Sequence, residues 1–143
     1  MIAIDSENAI VRLCAKGMEL EQSRRTAEAK SLFERAWRES RDDFEACIAA
    51  HFLARHQTDP GQALAWNVEA LDRAEAVGDG LTDTFLPSLL LNLGYSHEVL
   101  GQADEARLYY CRANALLDSL LAGSYADVVR SGVRRGLERL GES

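Results

Sequence analysis

Proline is nearly missing from this sequence, with two residues in 143, Pro60 and Pro87. β-Branched residues are sparse, and no stretch alternates apolar and polar side chains over a useful length, so sheet structure is not expected. Cysteine is scarce as well. Cys14, Cys47 and Cys111 form an odd, widely spaced set, which argues against a disulfide framework and fits reduced thiols in a cytosol-like compartment. Positive charge is in deficit, with 16 Lys and Arg against 23 Asp and Glu and a formal net charge of −7. Sequence-independent nucleic-acid binding needs a basic face to displace phosphate counterions, and an anionic membrane surface attracts the same kind of face, so neither partner is expected. No apolar run approaches the ~18 residues of a membrane span. The opening "MIAIDSENAI" has neither a basic n-region nor a long apolar h-region. A cytoplasmic protein is the expectation.

Ala, Leu, Glu and Arg dominate what is present, so the helical template fits nearly the whole length. A chain of this size buries roughly two-thirds of its unfolded surface and needs no metal or disulfide to fold. Turn and cap residues divide it into seven helices. The first is expected from about Ser6 to Gln22 and the second from about Thr26 to Ser40. Asp42 and Glu45 have capping-box spacing, so a third helix is expected from Asp43 to about Gln57. "TDPGQ" places Asp59 as N-cap and Pro60 at the first helical position, and Gly78 offers a left-handed stop for that fourth helix. The fifth is expected from near Asp83 or Thr84 to Gly101, with Pro87 tolerated in its first turn. The sixth runs from about Ala103 to Leu121, and the seventh from Ser124 to just before Gly141. Short connections between such helices make them antiparallel neighbours.

Chemistry-bearing motifs are lacking. There is no G-x-S-x-G elbow, no phosphate-cradling loop and no dinucleotide glycine pattern. His97 and Glu98 are adjacent on a helix and face different ways. Cys47 and His51 share a helix face, but zinc needs three or four ligands, so a buried thiol and a hydrogen-bonded imidazole are the better reading. No catalytic residue, metal or cofactor is expected.

A repeat organises the chain. Leu90, Leu93-Gly94 and His97 are followed by Ala106, Tyr110 and Ala113. The first copy gives Leu13, Lys16-Gly17 and Leu20, then Ala29, Phe33 and Ala36. A weaker middle copy gives Cys47, Ala50-His51 and Ala54, then Ala63, Asn67 and Ala70. These spacings resemble the tetratricopeptide pattern, in which small residues and one aromatic recur at fixed offsets in a helical hairpin. The interval from Gly17 to His51 is the family's period. The longer one from His51 to Gly94 resembles kinesin-light-chain-type and bacterial regulator repeats.

The resemblance implies an all-α fold: a right-handed superhelical stack of antiparallel helical hairpins, an α-solenoid. It would form one domain over 1–143, with repeats at about 9–42, 43–80 and 83–122 and a capping helix at 124–140. Gly17 and Gly94 would admit the second helix of each pair closely, although a tolerated interior glycine is the alternative for Gly94. In "SYADVVRSGVRRGLERL", Val129, Val133, Leu137 and Leu140 make one apolar stripe while Arg130, Arg134 and Arg135 point elsewhere. That segment is either a cap over the stack or a basic helix for an acidic partner.

In this family the first helices line a partner-binding face. By position the lining would include Cys14, Met18, Ile48, Phe52, Arg55, Leu91, Asn92 and Tyr95. Of the positions that grip a carboxylate in one subfamily, Cys14, Met18, Ala49, Ser88 and Asn92, only Asn92 is of a suitable type, so no carboxylate clamp is expected. Met and aromatic side chains suit an adaptable apolar groove, unless neighbouring helices or a second copy of the chain cover them. The expected function is non-catalytic protein or peptide binding, with homodimerisation as one form of it. The alternative is a chaperone for an apolar export substrate, since translocator chaperones of type III secretion are similar in size, acidity and repeat number.

Overall fold

The structure is a computed structural model that describes residues 5–78, 80, 83, 85–118 and 123–141. Its helices are α1 (Ala9–Gln22), α2 (Thr26–Glu39), α3 (Asp43–Ala54), α4 (Pro60–Val77), α5 (Leu86–Val99), α6 (Ala103–Asp118) and α7 (Ser124–Arg139). Among the described residues there is no strand, so the fold is all-α. No helix there is long and apolar enough to cross a membrane.

Local chemistry sets most of the boundaries. The Asp42 carboxylate accepts from the Glu45 backbone N–H at 2.8 Å, and the Asp59 carboxylate accepts from that of Gln62 at 3.1 Å. Gly78 takes φ +69° at the end of α4. Three ends differ from expectation: the starts of α1 and α5 and the end of α3, with α5 beginning at Leu86 after Phe85, which makes no side-chain cap, and not near Asp83 or Thr84. α1 starts at Ala9 because Asn8 caps it, its side-chain oxygen accepting from the N–H groups of Ile10 and Val11 at 2.8 and 3.0 Å. α3 stops at Ala54 because the chain tightens there. The N–H groups of Arg55 and His56 donate to the carbonyls of Phe52 and Leu53, and the Gln57 side chain also donates to Leu53. The end expected for the sixth helix, near Leu121, lies outside the described residues, as does Thr84.

The pairs α1–α2, α3–α4 and α5–α6 are hairpins of neighbouring helices. In each pair, seventeen residues separate the two helix starts: Ala9 and Thr26, Asp43 and Pro60, Leu86 and Ala103. The first and third turns also match bond for bond. Arg24 N–H donates to Glu21 O and Arg25 N–H to Leu20 O; Gly101 N–H donates to Glu98 O and Gln102 N–H to His97 O. This is the Schellman closure, which needs a left-handed residue after the helix. Gly101 supplies it at φ +77°, whereas Arg24 is forced to φ +62°.

The chain divides into two compact units, Met1–Thr82 and Asp83–Ser143. In the first, α3 packs on both members of the α1–α2 hairpin; in the second, α7 packs on both members of α5–α6. Phe33, Ala29 and Ala36 are completely buried in the first unit, among Ile10, Cys14, Leu20, Ala49 and Leu53. Tyr110, Ala106 and Ala113 hold the same place in the second, among Leu89, Leu90, Leu93, Leu117, Val129 and Val133.

Gly17 and Gly94 are both buried against the aromatic of their partner helix. A Cβ at Gly17 would lie inside 3.0 Å of two Phe33 ring atoms, and one at Gly94 would lie 2.6 Å from Tyr110 Cδ1. In the second unit the ring is pressed from the other side as well, because Gly136 of α7 also meets Tyr110. In the middle pair His51 and Asn67 occupy the glycine and aromatic positions; His51 and Ala63 are half-buried, Asn67 and Ala70 buried.

Two substitutions test this reading. Gly94→Ala would gain ~1 kcal/mol of helix propensity. The ring held between two backbones cannot retreat, so overpacking of about 1–3 kcal/mol should win and lower the urea midpoint; a raised midpoint would contradict the close approach. Arg24→Gly should do the opposite. It relieves a left-handed arginine and should raise stability by about 1 kcal/mol in the same assay; no gain would mean the turn is unstrained.

Candidate partner-binding faces

On the first unit the residues expected to line a groove come from α1 and α3, which touch. Cys14 is the correction among them. It is only 3% exposed, because Ile10, Cys14, Gly17 and Leu20 follow one another at helical spacing and form the buried stripe of α1. Burial pushes its thiol up to about 12, and Cys47 likewise, so both are inert. Met18 is 41% exposed. Ile48 and Phe52 sit at the edge of the core, half-buried. The Phe52 ring stacks on Phe33 with centroids 4.8 Å apart, and the exposed Arg55 guanidinium lies 4.8 Å from the Phe52 centroid.

Glu21 fixes this edge. Its carboxylate accepts from the Arg55 guanidinium and meets His56 Nε2 at 2.6 Å, so the end of α3 is tied to the end of α1. Glu98 occupies the same register in the second unit, four residues after its glycine. It accepts from the Tyr110 hydroxyl at 2.6 Å and from Arg139 of α7 at 2.6 and 3.1 Å. The Arg139 hydrogen bond holds the Glu98 carboxyl below its usual range, while burial, and then the carboxylate, push the Tyr110 phenol up. Each knot joins a first helix to the third helix of its unit. The repeated Glu, four residues beyond each glycine, was the sequence signal for both.

On the second unit, Leu91 is half-buried and fits against Gly132 of α7, where a Cβ would lie 2.9 Å from it. Asn92 is half-buried. Tyr95 is 56% exposed, with the Arg139 guanidinium 5.8 Å from its ring centroid. Ser88 donates to the Tyr125 hydroxyl at 2.8 Å. Val99, Tyr125 and Val128 are exposed on the same two helices. α7 buries Ala126, Val129, Val133 and Gly136, leaves Leu137 and Leu140 half-buried, and exposes Arg130, Arg134 and Arg135. The apolar stripe drawn from the sequence therefore shares only its two valines with the buried face. Ala126 and Gly136 make up the rest of that face.

The first unit also holds a buried carboxylate. Glu45 is 1% exposed and accepts from the Arg41 backbone N–H at 2.9 Å, the Arg41 guanidinium at 3.0 Å and the Asn8 amide at 2.9 Å. The capping-box spacing of Asp42 and Glu45 is thus used differently from expectation. The glutamate closes on Arg41, one residue further out, and reaches across to the residue that caps α1. These donors, Arg41 first, draw its carboxyl down to about 2. His51 lies beside Phe52, with ring centroids 5.4 Å apart. Burial, with the nearby Arg55 charge, pulls its imidazole down to about 4. Among the described residues no group of three His, Cys, Asp or Glu is placed to hold a metal.

No family model, curated protein or solved structure matches the chain.

The three depressed groups, His51, Glu45 and Glu98, set an acid limit. A group whose folded pKa lies below its unfolded value stabilises above the unfolded value and loses that contribution as pH falls towards the folded one. For His51 the window is pH 6.5 to about 4; for Glu45 it is pH 4.5 to about 2. Unfolding free energy should therefore fall from pH 6.5 downwards, and His51→Gln should flatten the upper part of the curve. An unchanged slope between pH 6.5 and 4 in that variant would show that His51 is not buried as a neutral ring.

Proposed function

We propose that the chain is a non-catalytic interaction module of the tetratricopeptide-repeat kind, in which three helical hairpins and a covering seventh helix present α1, α3 and α5 to a protein or peptide segment. The observation that carries this reading is the common register of the three hairpins. The same seventeen-residue offset recurs, and in the first and third pairs so does the same glycine–aromatic contact. A helical hairpin repeated with one internal contact is an economical way to build a shaped surface. The superhelical stacking, the cytoplasmic location and the absence of a cofactor expected from the sequence belong to this reading. So does self-association as one form of binding.

The side chains available to a partner are Met18, Phe52 and Arg55 on the first unit and Leu91, Asn92 and Tyr95 on the second. Tyr95 is exposed and Phe52 half-buried, each with an arginine over its ring, and tyrosine and arginine are among the residue types that dominate binding energy at interfaces. The arginine is already held by Glu21 or Glu98, so little of its freedom remains to be lost on binding.

The test starts from a partner captured by cross-linking in the producing cell and then purified. Met18→Asp and Tyr95→Asp should each weaken its binding at least tenfold, whereas Leu108→Asp, on α6, should not. Equal affinities across all three variants would sink the reading. Light scattering of wild type and Phe52→Glu decides the self-association form, which predicts a loss of mass on substitution.

A further inference from the structure

A second face of the first unit carries features that the reading above does not use. A cleft of about 360 Å³ is lined by Lys30, Glu34, Trp37 and Arg38 of α2, Leu53 and Gln57 at the end of α3, and Trp66 of α4. Both tryptophans of the chain are there. They meet edge to face, with ring centroids 4.9 Å apart and planes at 87°. On Trp37 the Arg73 guanidinium lies 5.5 Å from the ring centroid, held by Glu69 at 2.6 Å and Asp43 at 3.0 Å. The aromatic wall is thus braced from α4.

The charges around it stand out within this unit. Arg12, Lys16, Arg25, Arg35, Arg41, Arg55 and Arg73 of the first unit all stand in ion pairs. Among the described residues of that unit, only Arg24, Lys30 and Arg38 do not, and two of those three line the cleft. Lys30 and Arg38 are two turns apart on one face of α2, with Glu34 between them, so the rim carries an excess positive charge in a chain of net charge −7. The cleft is open, with the two indoles as its apolar wall and charged groups around them, so it suits one side chain of a docked segment and not an enclosed small molecule.

We propose that this cleft is a docking site for an acidic peptide segment that carries an aromatic side chain: the ring seats against Trp37 and Trp66 while flanking carboxylates face Lys30 and Arg38. Edge-to-face packing supplies the ring's geometry and the two unpaired cations supply the sign of its neighbours. The inference is independent of the faces on α1, α3 and α5, and it stands or falls without them.

Because no tryptophan lies elsewhere, intrinsic emission reports this cleft directly. The probes are the capped peptides EDFDE, EDADE and KKFKK, with phenylacetate as a free aromatic acid. EDFDE should change the emission saturably. EDADE and KKFKK should bind at least tenfold more weakly, and Lys30→Glu with Arg38→Glu should weaken EDFDE at least tenfold with an unchanged far-ultraviolet circular dichroism spectrum. If the alanine or lysine peptide binds as well as EDFDE, if the double variant leaves binding intact, or if phenylacetate binds as tightly as EDFDE, the proposal is overturned.

Discussion

A ring that lies directly on a glycine backbone sets the architecture of both units. Phe33 against Gly17 and Tyr110 against Gly94 bring two helices closer than any side chain larger than hydrogen would permit. The alanines at Ala29, Ala36, Ala106 and Ala113 continue the close contact along the partner helix. Once the ring is seated, its outer surface is the platform for the third helix: Phe52 stacks on it in one unit, and Gly136 presses on it in the other. Polar ties then lock what packing has placed. Glu21 and Glu98, one turn beyond each glycine, fasten the third helix by its arginine.

The middle pair departs from this plan, and its chemistry changes accordingly. With His51 in the glycine position and Asn67 in the aromatic one, apolar close contact gives way to polar groups of reduced exposure. The α3–α4 hairpin instead leans on its neighbours. Glu45 reaches back to the cap of α1 and Trp66 meets Trp37 across the gap to α2, while Arg73 ties α4 to Asp43 within the pair. Acid sensitivity arises here from two causes: burial keeps the His51 ring neutral, while donors from Arg41 and Asn8 keep the Glu45 carboxylate charged.

Much of this was legible in the sequence, where the signal was local. Asp42, Asp59, Gly78 and Gly101 act on their own helix ends, and their types declare it. The glycine–aromatic spacing was legible because it recurs. What was misplaced depended on tertiary partners. The start of α1 follows from Asn8, itself held by Glu45 thirty-seven residues away, and the end of α3 lies where Arg55 and His56 turn to Glu21. Position in the repeat pattern points Cys14 to a surface, whereas its spacing from Ile10 and Gly17 puts it in the core stripe. Arg139, Gly132 and the tryptophan pair gained meaning only when distant helices were brought together.

Confinement of both indoles to the first unit has a practical side. A melt followed by selectively excited indole emission tracks the first unit and is blind to α5, α6 and α7, where all four tyrosines lie. Ellipticity at 222 nm weighs all seven helices, so the gap between the two transition curves would gauge how far each half of the chain stands by its own strength.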